Sequence, residues 1–144
     1  VMAAAKIAQA HDFIIGKENG YDDLISEMGA NLSGGQRQRI SIARAIIKNP
    51  DIYIFDDSFS ALDFKTDAVL RKALAEVSKN AITLIVAQRI TSIVNADLIV
   101  VLNEGEIVCQ GRHEDLIKSC EIYQQIAASQ LSEEEMKWKD YLVI

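Results

Sequence analysis

Apolar positions change their spacing several times along the chain, and each change marks an element. Ala3 to Ala10 reads as the end of a helix, and Asn19-Gly20 and Gly29-Ala30-Asn31 read as turns around the short segment Tyr21 to Met28. From Ser33 onward the spacing becomes helical. Ile40, Ala43 and Ile47 fall on one face, Arg37, Ser41, Arg44 and Lys48 on another, and Asn49-Pro50 stops the run. Ile52-Tyr53-Ile54-Phe55 is an unbroken apolar run ending in Asp56-Asp57, the pattern of a strand buried on both faces with carboxylates at its carboxyl end. A helix over Lys65 to Lys79 follows, then a second buried strand from Ala81 to Ala87, a short helix from Ile90 to Asn95 and a third strand from Leu98 to Leu102. Asn103-Glu104-Gly105-Glu106 has the chemistry of a hairpin turn and leads into Ile107 to Gln110, an antiparallel edge. Gly111 to Ser119 and Glu121 to Ser129 predict two closing helices. Strands alternating with helices predict an α/β fold built on a parallel sheet.

Composition narrows the class. The chain has 144 residues, 49% of them apolar, with 15 Lys+Arg against 21 Asp+Glu for a net charge of −6. That apolar content excludes disorder over the whole chain. The acidic balance argues against a general nucleic-acid-binding surface, which is normally basic. The longest apolar runs, Val1 to Ala5 and Leu98 to Leu102, fall far short of the roughly 20 residues a membrane-spanning helix needs. The amino end shows no basic region followed by an apolar core, so no secretion signal is expected. Two cysteines cannot build a disulfide framework or a cysteine-rich zinc site, so Cys109 and Cys120 are expected to be small apolar fillers in a reducing setting. His11 and His113 stand apart from any ligand cluster and are expected in surface or capping roles. Glu133-Glu134-Glu135 reads as a solvated tail.

Two stretches carry candidate chemistry. Leu32-Ser33-Gly34-Gly35-Gln36 is a small-residue loop entering a helix amino terminus, where free N–H groups and the positive end of the helix dipole can receive an anion. Glycines let a phosphate approach the backbone, and Ser33 can add a hydroxyl donor. A bare Ser-Gly-Gly is by itself more often an ordinary helix cap. The second stretch, Asp56-Asp57, puts two carboxylates at the carboxyl end of a parallel strand, where such sheets bind ligands. There one carboxylate can hold Mg²⁺ and the next can orient a water, or the pair can simply cap the following helix.

The order and spacing of these stretches resemble the signature loop and Walker B strand of ATP-binding cassette proteins. Ser60-Ala61-Leu62-Asp63 resembles the D-loop of that family, Ile85-Val86-Ala87-Gln88-Arg89 its switch region, and Glu27-Met28-Gly29-Ala30-Asn31 the segment that precedes the signature in exporters. Gly111-Arg112-His113-Glu114-Asp115-Leu116 is similar to the exporter-type ending. The resemblance implies the carboxyl-terminal part of a nucleotide-binding domain: a partial P-loop NTPase sheet with flanking helices over residues 50–130, a signature-bearing helical subdomain over 1–49, and an unassigned tail over 131–144. It implies ATP and Mg²⁺ as cofactors, with Asp56 toward the metal, Asp57 and Gln88 at catalytic positions, and Ser33, Gly34, Gly35, Gln36 and Asp63 acting on nucleotide held by the opposite domain. It further implies a second nucleotide-binding domain and the transmembrane domains of an exporter as partners, no nucleic acid, and a place at the cytoplasmic face of a membrane reached only through the transmembrane domain. A soluble cassette ATPase of DNA repair or translation is the alternative, and a non-enzymatic remnant a third.

Three departures from the family pattern matter. The phosphate-cradling pattern G-x-x-x-x-G-K-[ST] does not occur, since Gly29 and Gly34 have the spacing but Gly35 follows where Lys is needed. This implies that the chain by itself does not bind ATP in the usual way. The residue after Asp56 is Asp57 where the family has Glu, one methylene shorter. The switch position is Gln88 where the family has His, and an amide can donate a hydrogen bond but cannot carry a proton or a positive charge. Both changes weaken the same site while the Ser33 to Gln36 loop is intact, which implies one half of a heterodimer with unequal sites.

Overall fold

The computed structural model of the chain describes residues 1–130 and, within them, every side chain except that of Phe64. The expected tail over 131–144 lies outside the described residues. The chain divides into two compact units, residues 1–86 and residues 87 onward. The division expected between residues 49 and 50 lies inside the first unit, because the helix before Pro50 and the strand after it contribute to one core.

In the first unit, α1 (Met2–Ile7) and α2 (His11–Ile15) precede two single 3-10 turns at Gly20–Asp22 and Glu27–Gly29. Then come α3 (Gly34–Lys48), β1 (Ile52–Asp56), α4 (Phe64–Val77) and β2 (Ile82–Val86). Asn49 ends α3 in the left-handed conformation with φ 45°, a geometry asparagine tolerates. β1 and β2 pair in parallel, Ile52 opposite Ile82 through Asp56 opposite Val86. The core gathers Ala4, Ala5 and Ala8 of the first helix and its cap, Ile42, Ala43 and Ile46 of α3, Tyr53 and Phe55 of β1, and Leu70 and Leu74 of α4. Small residues in α1 let it lie close to α3.

Three expectations are corrected here. The buried stripe of α3 runs through Ile42, Ala43 and Ile46, leaving Ile47 half exposed, because the core lies to that side. β1 is covered on one face only: Tyr53 and Phe55 are buried while Ile52 and Ile54 face outward. β2 is likewise largely open, with Ile82, Leu84 and Val86 exposed. The helices of this unit supply one covering layer for the pair of strands, so the outward apolar positions stay uncovered.

The second unit opens with a 3-10 turn at Ile90–Ser92 in place of the expected helix to Asn95, since burial of Ile90 needs no longer element. β3 (Ile99–Asn103) and β4 (Glu106–Gly111) form the expected hairpin, antiparallel from Ile99 opposite Gly111 to Asn103 opposite Glu106, with an irregularity between Val101 and Leu102. Gly105, at φ 83°, makes the turn in a conformation that favours glycine. Among the described residues this hairpin is a sheet of its own, not an edge of the parallel pair. α5 (His113–Ser119) and α6 (Glu121–Gln130) close over it, burying Leu116, Tyr123 and Ala127 against Ile90, Ile99 and Val101. Cys109 and Cys120 are joined as a disulfide with Cα atoms 6.3 Å apart, within the range such a bond spans. They are therefore not separate fillers: strand β4 and the α5–α6 junction converge on one point of this core. Each histidine has a tyrosine partner ten residues on, with His11 Nδ1 2.9 Å from the Tyr21 hydroxyl and His113 Nδ1 2.8 Å from that of Tyr123.

Candidate functional site

The Ser33 loop is fixed from both ends. Ser33 is extended, its Oγ accepts the Gln36 N–H at 3.2 Å, and its own N–H donates to Gln36 Oε1 at 2.9 Å, a reciprocal capping box. The capping reading of Ser-Gly-Gly is thus realised, and the Ser33 hydroxyl proton is still available to a further acceptor. Arg37 Nη1 donates to the carbonyls of Leu32 at 2.7 Å and Gly29 at 3.3 Å, tying the incoming loop to the first turn of α3. Arg39 Nη1 donates to the Gln9 carbonyl at 2.7 Å, and its guanidinium stands 4.8 Å from the Phe13 ring centroid. Arg37 thus holds carbonyls, and Arg39 holds a carbonyl and an aromatic face.

The carboxylate end of β1 leads directly into the turn that packs on this helix. Asp56 is the last residue of the strand and Asp57 stands at φ 47°, a left-handed conformation uncommon for a non-glycine residue. The Asp57 N–H reaches the Val86 carbonyl at 3.3 Å, continuing the ladder one step beyond the strand. Phe59 and Leu62 plug the turn into the core; the Phe59 ring lies 5.3 Å from Phe55 and carries the Arg71 guanidinium 4.1 Å above it. A Cβ added to Gly35 would meet the Ala61 carbonyl oxygen at 2.9 Å, whereas one on Gly34 would sit 3.5 Å from the Ala61 Cβ. Glycine at 35 is therefore required by the closeness of helix and turn, a different need from phosphate access.

Gln38, one turn beyond Gly34, grips the same turn. Its Nε2 donates to the Asp57 carbonyl and to Ser60 Oγ, each at 3.1 Å, and its Oε1 accepts the Ala61 N–H at 3.0 Å. The turn ends at Asp63, which caps α4: its carboxylate accepts the Thr66 N–H at 2.9 Å and the Thr66 hydroxyl at 2.7 Å. Those hydrogen bonds, the backbone one foremost, hold the Asp63 carboxyl below its ordinary range. The first unit thus holds Ser33, Gly34, Gly35, Gln36, Asp56, Asp57 and Asp63, and its loop and turn meet where Gly34, Gly35 and Gln38 face Asp57, Ser60 and Ala61. Gln88 belongs to the second unit, exposed, with its carbonyl accepting from Gln130 Nε2 at 2.6 Å while Gln130 Oε1 accepts the Ile90 N–H at 2.9 Å.

Sequence reasoning missed Gln38, Gln130 and the capping job of Asp63. Helical spacing carried a signal for the first, since Gln38 follows Gly34 and Gly35 by four and three residues and so shares their face. Nothing in the local pattern pointed to Gln130, whose partner is forty residues away.

Asp56 and Asp57 are exposed hard oxygen donors, and among the described residues no group of three or more His, Cys, Asp or Glu gathers at one point. That donor set fits Mg²⁺, which keeps several waters and takes one or two carboxylates plus phosphate oxygens, and does not fit an all-protein cage.

Residues 4–60 match the family described as ABC transporter, a span holding both the Ser33 helix start and the Asp56-Asp57 strand end. The chain is similar to members of that family well beyond this span. It is 48% identical over 118 residues to a leukotoxin export ATP-binding protein of Aggregatibacter actinomycetemcomitans, covering 82% of this chain and 17% of that protein. It is 48% identical over 126 residues to an ATP-dependent lipid A-core flippase of Acinetobacter baylyi, covering 88% of this chain and 22% of the flippase. A bacterial Atm1-family ABC exporter with ATP bound superposes with a TM-score of 0.86 at 39% identity, over 88% of this chain and 22% of that one. The chain therefore spans about a fifth of the length of these ABC relatives. ABC ATPases bind ATP, typically with Mg²⁺, and the two loops that converge here are those on which the family resemblance rests. Among the described residues no helix is long and apolar enough to cross a membrane.

Proposed function

We propose that the chain is the carboxyl-terminal part of the nucleotide-binding domain of an ABC exporter, coupling ATP binding and hydrolysis to export of a substrate across a membrane. The observation that carries this is the convergence of the Ser33 helix start with the Asp57–Asp63 turn in one unit, in a chain 48% identical to an export ATP-binding protein. Residues 1–49 are the signature-bearing part and 50–130 the end of the ATP-binding core. Asp56 faces the metal, Asp57 and Gln88 take the catalytic positions, and Ser33, Gly34, Gly35, Gln36 and Asp63 act on nucleotide held by a second domain, supplying donors where negative charge develops.

Other observations support the same reading. The exposed outer face of β1 and β2, with Ile54 at 66% and Ile82 at 67%, suits covering by preceding strands and helices of the same domain. Leu24 and Met28, 86% and 93% exposed beside the Ser33 loop, are apolar groups suited to the cytoplasmic helices of transmembrane domains. That role sets the protein at the cytoplasmic face of a membrane. The export and flippase relatives favour transport over DNA repair or translation. The chain alone is proposed not to hold Mg-ATP tightly, for want of a lysine-bearing phosphate loop.

Asp57 in place of Glu and Gln88 in place of His support a slow site of the chain's own beside an intact loop serving a different partner subunit. Steady-state ATPase of the assembled exporter tests this. Ser33→Arg should abolish turnover by filling the phosphate seat, while Asp57→Asn should cost much less. If Asp57→Asn silences turnover as fully, the sites are equal and Asp57 is a working catalytic carboxylate.

A further inference from the structure

We propose that Gln38 is a positioning residue that locks the Ser33–Gln36 loop and the Asp57–Asp63 turn into one block, so that the part of the chain serving the partner's nucleotide and the part serving its own move together. The inference rests on the exporter reading and adds to it a residue outside the expected site.

Three hydrogen bonds carry the argument. The Gln38 amide donates to the Asp57 carbonyl and Ser60 Oγ and accepts from the Ala61 N–H, all between 3.0 and 3.1 Å. Only a carboxamide offers donors and an acceptor on one planar head. Rotating that head by half a turn would set its NH₂ against the Ala61 N–H and its oxygen against the Asp57 carbonyl, so the turn accepts one orientation. Glutamate would lose both donors, and asparagine would fall one methylene short.

What the amide holds is unusual backbone. Asp57 stands at φ 47°, and its N–H and C=O are both engaged: the N–H with Val86, the C=O with Gln38 Nε2 and with the Ser60 hydroxyl at 3.1 Å. The carbonyl that fixes this conformation is thus bonded to α3 itself. On the other side, the Ala61 N–H bound by Gln38 lies two residues before Asp63, and the Ala61 carbonyl lies against Gly35. A shift of the α3 amino terminus as it closes on a phosphate is passed through Gln38 to both ends of the turn. The glycine contact transmits a push; the amide transmits a pull.

The test is made on the assembled exporter with wild type, Gln38→Ala and Gln38→Glu. Michaelis curves for ATP are measured together with amide hydrogen exchange of peptides spanning residues 57–62. The expected result is a kcat lower on the order of tenfold with KM for ATP unchanged, in line with the sensitivity of such geometry to small misplacements, and faster exchange at Ala61. Gln38→Glu, which keeps length, bulk and the acceptor, should lose kcat as well. A wild-type kcat in both variants, unchanged exchange at 57–62, or a loss of kcat that only tracks the folded fraction overturns the proposal. Wild-type protein without ATPase activity would overturn the exporter reading instead, and the exchange measurement would still decide what Gln38 holds.

Discussion

Each unit of the chain fastens one loop with a single glutamine amide, yet the two loops are held to very different degrees. In the first unit Gln38 acts from the second turn of a fifteen-residue helix whose Ile42, Ala43 and Ile46 are buried, and its loop is also pressed against Gly35 and plugged by Phe59 and Leu62. In the second unit Gln130 makes two bonds to the Gln88–Ile90 backbone from α6, and that loop has Ile90 as its buried anchor. The remaining fasteners differ too. The second unit closes on itself through side-chain partners, His113 with Tyr123 and Cys109 with Cys120, whereas around the site of the first unit side chains go mainly to backbone groups. Placing a main chain against a ligand calls for holding that main chain, whereas closing a core can rely on paired side chains.

If the first loop is held by close approach, the largest effect should come from removing that closeness. Gly35→Asp would place a Cβ 2.9 Å from a backbone oxygen and add a charge at a phosphate seat, so ATPase of the assembled exporter should fall to background. Gly35→Ala separates the two causes and should lose most activity through sterics alone. Gly34→Ala, with ordinary contact at 3.5 Å, should be much milder on the first count. Equal losses in Gly34→Ala and Gly35→Ala would show that the helix start needs bare backbone at both positions and that the approach to Ala61 is not what limits it.

Core truncations come next and test whether the units are separable. Leu70 and Leu116 are among the most deeply buried side chains of their respective units. Either one changed to alanine should cost about 2–5 kcal/mol, the range for a large aliphatic lost from a packed core. Hydrogen exchange should then rise around residues 57–62 for Leu70→Ala and around 88–90 for Leu116→Ala. A rise in both places with either variant would mean that the two loops share one cooperative unit.

Much of this comparison was legible in the sequence, and what was not has physical reasons. The start of α3 at Ser33, the strand ending at Asp56, the helix after Asp63 and the hairpin around Gly105 all follow from local rules of capping, periodicity and turns. The one-sided cover of β1 did not follow, because an apolar run says what a strand tolerates and not how many layers its own chain supplies. The Gln38 and Gln130 amides and the Cys109–Cys120 pair depend on which loops tertiary packing brings near, a fact that periodicity within one element does not contain.

A smaller effect should mark the weaker clamp. Gln130→Ala releases the Gln88 carbonyl and the Ile90 N–H, so exchange at Ile90 should quicken. Turnover should fall less than with Gln38→Ala, because Gln88 belongs to the site proposed to be slow. A loss as large as that of Gln38→Ala would place Gln88 in the faster site and reverse the asymmetry.

The smallest expected effect concerns the His113–Tyr123 partnership of the second unit. Burial, partly opposed by the neighbouring Glu114 carboxylate, holds His113 below its ordinary pKa, so the folded state favours the neutral ring. Neutral Nδ1 can then accept the Tyr123 hydroxyl proton across 2.8 Å. The unfolded chain takes up its proton first as pH falls through about 6.5, which lowers stability progressively from there down to the folded pKa, with no loss from this group above that window. Denaturant midpoints at about pH 7.5 and about pH 5.5 should therefore differ, and His113→Gln should shrink the difference. Tyr123→Phe leaves Nδ1 without its donor and should cost about 1 kcal/mol at the higher pH. The acid loss should also shrink in Tyr123→Phe, since the neutral ring no longer gains a bond that favours it. An acid-dependent loss unchanged in both variants would trace it to other groups, and the His113–Tyr123 pairing would then be packing without a proton preference.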